Sequence, residues 1–280
     1  MSVLVTLITW VNVVTNALGR WVLSPLALLP GWLSLTVVSA VMGVLLLTIF
    51  KYTSNQEAIG RVRDDIKANL LAIKLFKDSF SVIFRSQAKV FAGSFRLLFY
   101  AIVPMLVMMV PVCLVLAQMG LWYQARPLKP GDEPVVVKLT LNDHLDTLPQ
   151  VTLESLPGAR TVMGPVRVSS KKELFWKIKP AEAGDHCLIF RVGDQQFEKQ
   201  LAVGDGFMRV SPTRPGAHFS DILLYPLEKP FTPASPIYSI TIDYPARDSR
   251  IYGKDWWLIY FFVASMVFAF LFKPFLKVRI

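Results

Sequence analysis

Three stretches of this chain carry no charged residue for long enough to cross a bilayer: Trp32 to Phe50, Leu97 to Tyr123 and Trp256 to Phe272. A helix needs roughly 20 mainly apolar residues to span the hydrocarbon core, so each is expected to be a transmembrane helix. Trp32, Trp122, Tyr123, Trp256 and Trp257 sit at one set of ends and suit the headgroup level,. Lys51, Arg96 and Lys273 close the other set. Ahead of the first span, Val3, Leu7, Trp10, Val14, Leu18 and Trp21 keep a helical period, while Thr9, Asn12, Asn16, Gly19 and Arg20 gather on another face. Residues 1–31 therefore read as an amphipathic helix in the membrane interface, with a fourth span as the alternative. They lack the basic start and small-x-small cleavage site of a signal peptide. Pro25 and Pro30-Gly31 turn the chain into the first span,.

Residues 51–96 change pattern. Ser54-x-x-Glu57 reads as a capping box, followed by Ile59, Val62, Ile66, Leu70 and Ile73 at three- and four-residue steps. Asp78-Ser79 is expected to cap a second helix whose apolar stripe is Phe80, Ile83, Phe84, Ala88 and Phe91. Two such helices make an antiparallel hairpin; with no Gly or Pro at the turn, one long helix is the alternative.

Residues 124–255 alternate on a period of two. Runs at Val135 to Leu141, Thr161 to Val168, Glu173 to Ile178, His186 to Val192, Phe197 to Val203 and Ile237 to Tyr244 are separated by turn residues. Gly193-Asp194-Gln195 joins two of them as a hairpin loop. Several short strands in about 130 residues predict an immunoglobulin-like β-sandwich, with the Pro-rich stretch 211–236 wrapping it or leading the chain back to the membrane. Lys199, within one of these runs, is taken as a representative position of this domain.

The resulting fold class is an α-helical membrane protein of three transmembrane helices and a helical hairpin, plus an immunoglobulin-like β-sandwich. Its parts are 1–31, spans 32–50, 97–123 and 256–272, hairpin 51–96, β-domain 124–255 and tail 273–280. Charge orients it. The net charge is +10; residues 51–96 hold nine Lys/Arg against four Asp/Glu, and the tail holds Lys273, Lys277 and Arg279 with no acid. Basic flanks stay in the cytoplasm, which puts 51–96 and the C-terminus inside, and the N-terminus and 124–255 outside. The β-domain is nearly balanced, with 17 basic and 16 acidic residues, which argues against a nucleic-acid site there,.

Little in the sequence points to bond chemistry. His144, His186 and His218 are far apart and lack metal-ligand spacing,. Nucleophile-elbow, phosphate-loop and dinucleotide motifs are absent. No catalytic residue, metal or cofactor is assigned, and the protein reads as a non-enzyme. Cys113 and Cys187 fall in different compartments and predict no disulfide framework,. Arg61, Arg63, Lys67, Lys74 and Lys77 are candidates for docking a ribosome, RNA or nascent chain, or for resting on anionic lipid. Pro104 and Pro111 are expected to kink the second span. Its methionines, Met105 and Met108 among them, suit varied apolar partners or ordinary packing. Thr36, Ser39 and Gly43 share one face of the first span, where small residues let helices approach closely. Gln118 is the strongly polar residue deep in the second span and needs a partner or water.

The order of these parts resembles the YidC/Oxa/Alb-type membrane insertase superfamily. It is closest to the minimal three-span branch of archaeal YidC-like proteins and the insertase-like subunit of the endoplasmic-reticulum membrane protein complex. Lys51-Tyr52-Thr53-Ser54-Asn55-Gln56 and Val103-Pro104-Met105-Leu106-Val107-Met108 carry the likeness, which covers about residues 15–123 plus the last span. It implies a hydrophilic groove open to the cytoplasm that eases a client's polar flank into the bilayer. Arg20, Thr36, Ser39 and Gln118 are the polar groove candidates, and Met105 and Met108 the apolar client contacts. Arg20 lies toward the outer end of the first span, and the β-domain is inserted between the second and third spans; both depart from the family pattern. The implied role is insertion or assembly of membrane proteins in a bacterial inner (plasma) membrane. Its partners would be the lipid bilayer, nascent membrane proteins or a ribosome, and an envelope protein at the β-domain. The alternatives are a membrane-tethered scaffold holding that envelope partner and an accessory subunit of a transporter or secretion system.

Overall fold

The computed structural model describes residues 3–26, 28–76, 78–142, 149–154, 158–247, 249, 256–276 and 278. In chain order they form α1 (Val3–Leu26), α2 (Gly31–Thr53), α3 (Gln56–Leu75), α4 (Phe80–Tyr123), β1 (Val135–Leu141), β2 (Val151–Leu153), β3 (Ala159–Val168) and β4 (Glu173–Pro180). These are followed by β5 (Gly184–Val192), β6 (Gln195–Val203), β7 (Thr213–Arg214), α5 (Phe219–Leu224), β8 (Ile237–Ile242) and α6 (Trp256–Leu276). The helices α2, α4 and α6 are long and apolar enough to cross a membrane, and the three expected spans lie within them. The chain is a multi-pass membrane protein with a separate antiparallel β-sheet domain. It divides into two compact units, residues 1–35 with 113–260 and residues 36–112 with 261–280.

In the first unit the sheets explain themselves by alternation. The five-stranded sheet has the order β3-β4-β1-β8-β7 and the three-stranded sheet the order β2-β5-β6, with every pairing antiparallel. Every second residue turns inward: Val137, Leu139 and Leu141 from β1, Leu174, Trp176 and Ile178 from β4, Leu188, Phe190 and Val192 from β5. Both sheets contribute to one hydrophobic core, in which Trp176 meets Phe190 edge to face at 5.2 Å. The edge strand β3 is exposed along most of its length. Gly193 opens the tight β5–β6 turn with φ 57°, a conformation glycine adopts without a Cβ penalty. The stretch 211–236 does wrap the domain. It supplies β7, the short α5 and Phe231, which joins the core.

The second unit is helical. Three details differ from expectation. The charged residues 80–96 and the apolar run 97–123 are one continuous 44-residue helix, which at about 1.5 Å per residue reaches about 66 Å, twice the hydrocarbon thickness. Pro104 and Pro111 fall inside it. The N-cap of α3 is Asn55, whose Oδ1 accepts from the Ala58 amide at 3.0 Å. Asn caps as well as Ser, so the box read at Ser54 is displaced by one residue.

The third difference is one of phase. The covered positions at the start of α4 are Val82, Ile83, Ser86, Val90 and Gly93. A Cβ on Gly93 would lie 2.7 Å from Ile66 Cγ1 of α3, so the helices touch through a glycine. Close approach selects small residues at the contact, and it leaves the bulky Phe80, Phe84, Phe91 and Phe95 exposed. Of the expected α3 stripe, Ile59 and Val62 are buried, whereas Leu70 is exposed.

Candidate functional site

The polar face of α1 is the first place where predicted residues acquire partners. Asn12 Nδ2 donates to the Ile222 carbonyl at 2.7 Å, and Asn16 Nδ2 to that of Pro226 at 2.6 Å. Gln118 Nε2 donates to Asn16 Oδ1 at 2.7 Å. Gly19 faces Gln118 so closely that a Cβ there would meet Gln118 Oε1 at 2.7 Å. Gln118 is thus tied to α1 and, through Asn16, to the segment after α5. Meanwhile Trp10, Leu18 and Trp21 on the other face of α1 are exposed, Trp21 by 86%. A water-soluble amphipathic helix buries its apolar stripe; α1 buries Ile8 and Leu23 beside its polar face and leaves its tryptophans uncovered. Arg20 is exposed and lines a cleft of about 490 Å³ together with Trp122 and Arg209.

The end of α4 is fastened to the β-domain by backbone and aromatic contacts. The Val210 amide donates to Leu121 O at 2.8 Å, Arg247 Nε donates to Trp122 O at 2.8 Å, and the Arg247 guanidinium stacks 4.4 Å from the Phe207 ring. Trp122 and Tyr123 both pack on Phe207.

In the helical unit, Ser39 is buried and Thr36 half-buried. Gly43 lies against α6, where a Cβ would come 2.3 Å from the Ser265 carbonyl oxygen. The small-residue face of α2 is therefore a helix contact, as such faces are in membranes. Met105 is exposed by 62% and Met108 is half-buried. Arg61, Lys67 and Lys74 are exposed and Arg63 is half-buried. Lys67 pairs with Asp64 at 3.7 Å, both side chains in solvent, where such a pair contributes little. Lys77 lies outside the described residues, as does His144.

One cluster was missed. Lys199 is wholly buried, and its Nζ donates to Glu228 Oε1 at 2.6 Å, to Ser211 O at 2.7 Å and to Gln200 O at 3.2 Å. Glu228 accepts further from the Gln200 amide at 3.0 Å and from the Ser211 hydroxyl. The position was legible in principle. Phe197, Lys199, Leu201 and Val203 alternate, so Lys199 occupies an inward register of β6 and is not a surface position of the domain.

A serine beside a lysine is also a catalytic pairing on other folds. Here burial pulls the Lys199 ammonium below the ordinary lysine range while Glu228 pulls it back. The Ser211 hydroxyl gives its hydrogen to Glu228 rather than to Lys199. The serine is 4% exposed. The arrangement is a satisfied buried network that pins the 211–236 stretch onto β6.

Among the described residues no group of three His, Cys, Asp or Glu side chains is placed to hold a metal ion. Cys113 and Cys187 are free thiols, and burial raises the Cys187 thiol above its usual range. No protein-family model, no curated protein and no solved structure matches the chain.

Proposed function

We propose that this is an insertase-like membrane protein, which shields apolar segments of other membrane proteins during insertion or assembly and does no bond chemistry. The observation that carries the reading is the uncovered apolar surface of α3 and the first half of α4. Leu71, Leu75, Phe76, Phe80, Phe84, Phe91 and Phe95 are all exposed, Leu75 by 72% and Phe80 by 88%. They are interleaved with Arg85, Lys89 and Arg96. Leaving a large side chain in water forgoes about 1.5–3 kcal/mol. A contiguous patch of this kind marks an interaction surface, and the basic residues suit a client flank, a ribosome or the anionic inner leaflet.

In this reading 51–96 is a cytoplasmic helical hairpin continued into the second span, Met105 and Met108 meet apolar client segments, and Thr36 and Ser39 are the polar positions left to a groove. The Nε2 of Gln118 is engaged by α1, while its Oε1 is buried without a partner among the described residues. The β-domain, an immunoglobulin-like sandwich, lies outside. α1 lies in the outer interface rather than across the membrane. Its positions 12 and 16 bond residues 222 and 226, and positions 20 and 24 line a cleft with residues 185–187, so it runs along the outer domain while its apolar face meets lipid. Localisation in a bacterial inner membrane follows from the family resemblance.

Site-specific photocrosslinking in cells tests this, from Phe84 and Phe91 on the arm and from Thr36, Ser39 and Met108 in the spans, with Met163 on β3 for comparison. Crosslinks from the arm and spans to ribosome-bound nascent chains are expected. A single stable protein captured from Met163, with the arm and spans silent, would instead establish the second reading, a tethered scaffold. The edge strand β3 favours that alternative by exposing Val162, Met163 and Val166.

A further inference from the structure

The cleft beside Arg20 holds unsatisfied groups of one kind. It is walled by Arg20 and Ser24 of α1, by Trp122 at the end of α4, by the start of β5, and by Phe207, Met208 and Arg209. Arg209 Nη1 and Trp122 Nε1 are buried and have no hydrogen-bond partner among the described residues. Both atoms can only donate, and the Trp122 side chain is more than nine-tenths buried.

Neither Arg20 nor Arg209 takes part in an ion pair among the described residues. Instead both line the same cleft. Burial first, and then the charge of Arg20, hold the Arg209 guanidinium below the ordinary arginine range. The carboxylate lining the cleft is that of Asp185, which is exposed. His186 directs Nε2 to the Glu182 carbonyl at 2.9 Å. One guanidinium nitrogen and an indole N–H left without acceptors among the described residues, beside the exposed and unpaired Arg20, describe half of a binding site, and the missing half is an oxyanion.

We propose that this cleft binds a phosphate ester, with Arg209 and Trp122 turning their unpartnered donors toward its oxygens and Arg20 closing on it from α1. Arginine forks match phosphate geometry better than any other side chain. The volume of about 490 Å³ has room for an organic group beyond the phosphate, and Phe207, Met208 and Leu227 supply apolar wall for it. Trp122 lies at the last turn of an apolar run, where headgroup phosphates sit. The same chemistry serves a phospholipid headgroup and a soluble phosphate ester. This site does not depend on the insertase reading.

The test uses the full chain in nanodiscs of neutral phosphatidylcholine, in discs that also contain anionic phosphatidylglycerol, and in neutral discs titrated with glycerol 3-phosphate or inorganic phosphate. The readouts are the thermal midpoint and the lipid retained on the purified protein by native mass spectrometry. Retention of phosphatidylglycerol that falls about tenfold or more in Arg20→Gln and Arg209→Gln supports a lipid headgroup as the ligand. Stabilisation by glycerol 3-phosphate or phosphate, with affinity reduced about tenfold or more in the same variants, supports a soluble one. Arg20 is exposed, so its variant carries the test if Arg209→Gln does not fold, and Arg209→Lys should restore part of the response. Equal responses in the wild type and Arg20→Gln, or no response to any of the three ligands, overturns the proposal.

Discussion

Lys199 of β6 has no contact with solvent, whereas Phe80 of α4 has almost nothing else around it. One is a charge inside a domain and the other an aromatic ring outside one, and the two regions handle their exceptions in opposite ways. In the β-domain the exception is internally complete: the ammonium donates to Glu228, Ser211 and Gln200, and the carboxylate in turn accepts from Lys199, Ser211 and the Gln200 amide. In the arm the exception is open, because Phe80, Phe84, Phe91 and Phe95 stay mostly exposed among the described residues. A closed exception serves the fold; an open one is what the proposed function assigns to a partner, so residue type alone does not tell structure from function.

Five variants press on that contrast. Replacing Glu228 with Ala leaves a buried ammonium without its counter-charge and should cost about 3–5 kcal/mol, read as a drop in thermal midpoint of the full chain in detergent. The double change Lys199→Met with Glu228→Leu should recover most of that loss, since apolar replacement of a whole buried pair is often neutral. An equal loss in both would mean that the network does more than hold itself together. Next in size, Gly43→Ala forces a Cβ toward the Ser265 carbonyl oxygen and should cost about 1–3 kcal/mol, seen by the same unfolding assay.

Smaller again is Asp132→Asn. The Arg126 guanidinium, 2.7 Å away, holds the Asp132 carboxyl below its ordinary range. Its contribution is therefore present above the ordinary value of 3.8 and is lost as pH falls below it. The variant should remove that acid-side slope and about 1 kcal/mol or less at neutral pH. Smallest in stability is Phe84→Asp, expected within about 0.5 kcal/mol of wild type, while crosslinking of nascent chains at Phe91 falls. A large loss of stability at Phe84 would show that the arm is closed after all.

How much of this was readable beforehand depends on which periodicity governs. The run Val135–Leu141 was read to its ends because alternation and burial coincide there. The spans were legible because an uncharged run of that length has few other uses. The arm misled because periodicity states which residues share a face but not which face is chosen. The contact with α3 went to Gly93, against Ile66 and Val62, and not to the aromatics. β7, with two residues, is too short to show a period, and α5 sits in a proline-rich stretch. The donors of the cleft were invisible for another reason. Arg20, Trp122 and Arg209 are separated by about a hundred residues at each step, and no local pattern joins them.

The bonds of α1 also impose an order in time. Asn12 and Ile222 are 210 positions apart, and Gln118 and Asn16 are 102 apart. At about 5–20 residues per second of synthesis, the partner of Asn12 emerges on the order of 10–40 s after Asn12 itself. The bonds that hold α1 against the segment after α5 therefore close only late in synthesis, once most of the β-domain has been made.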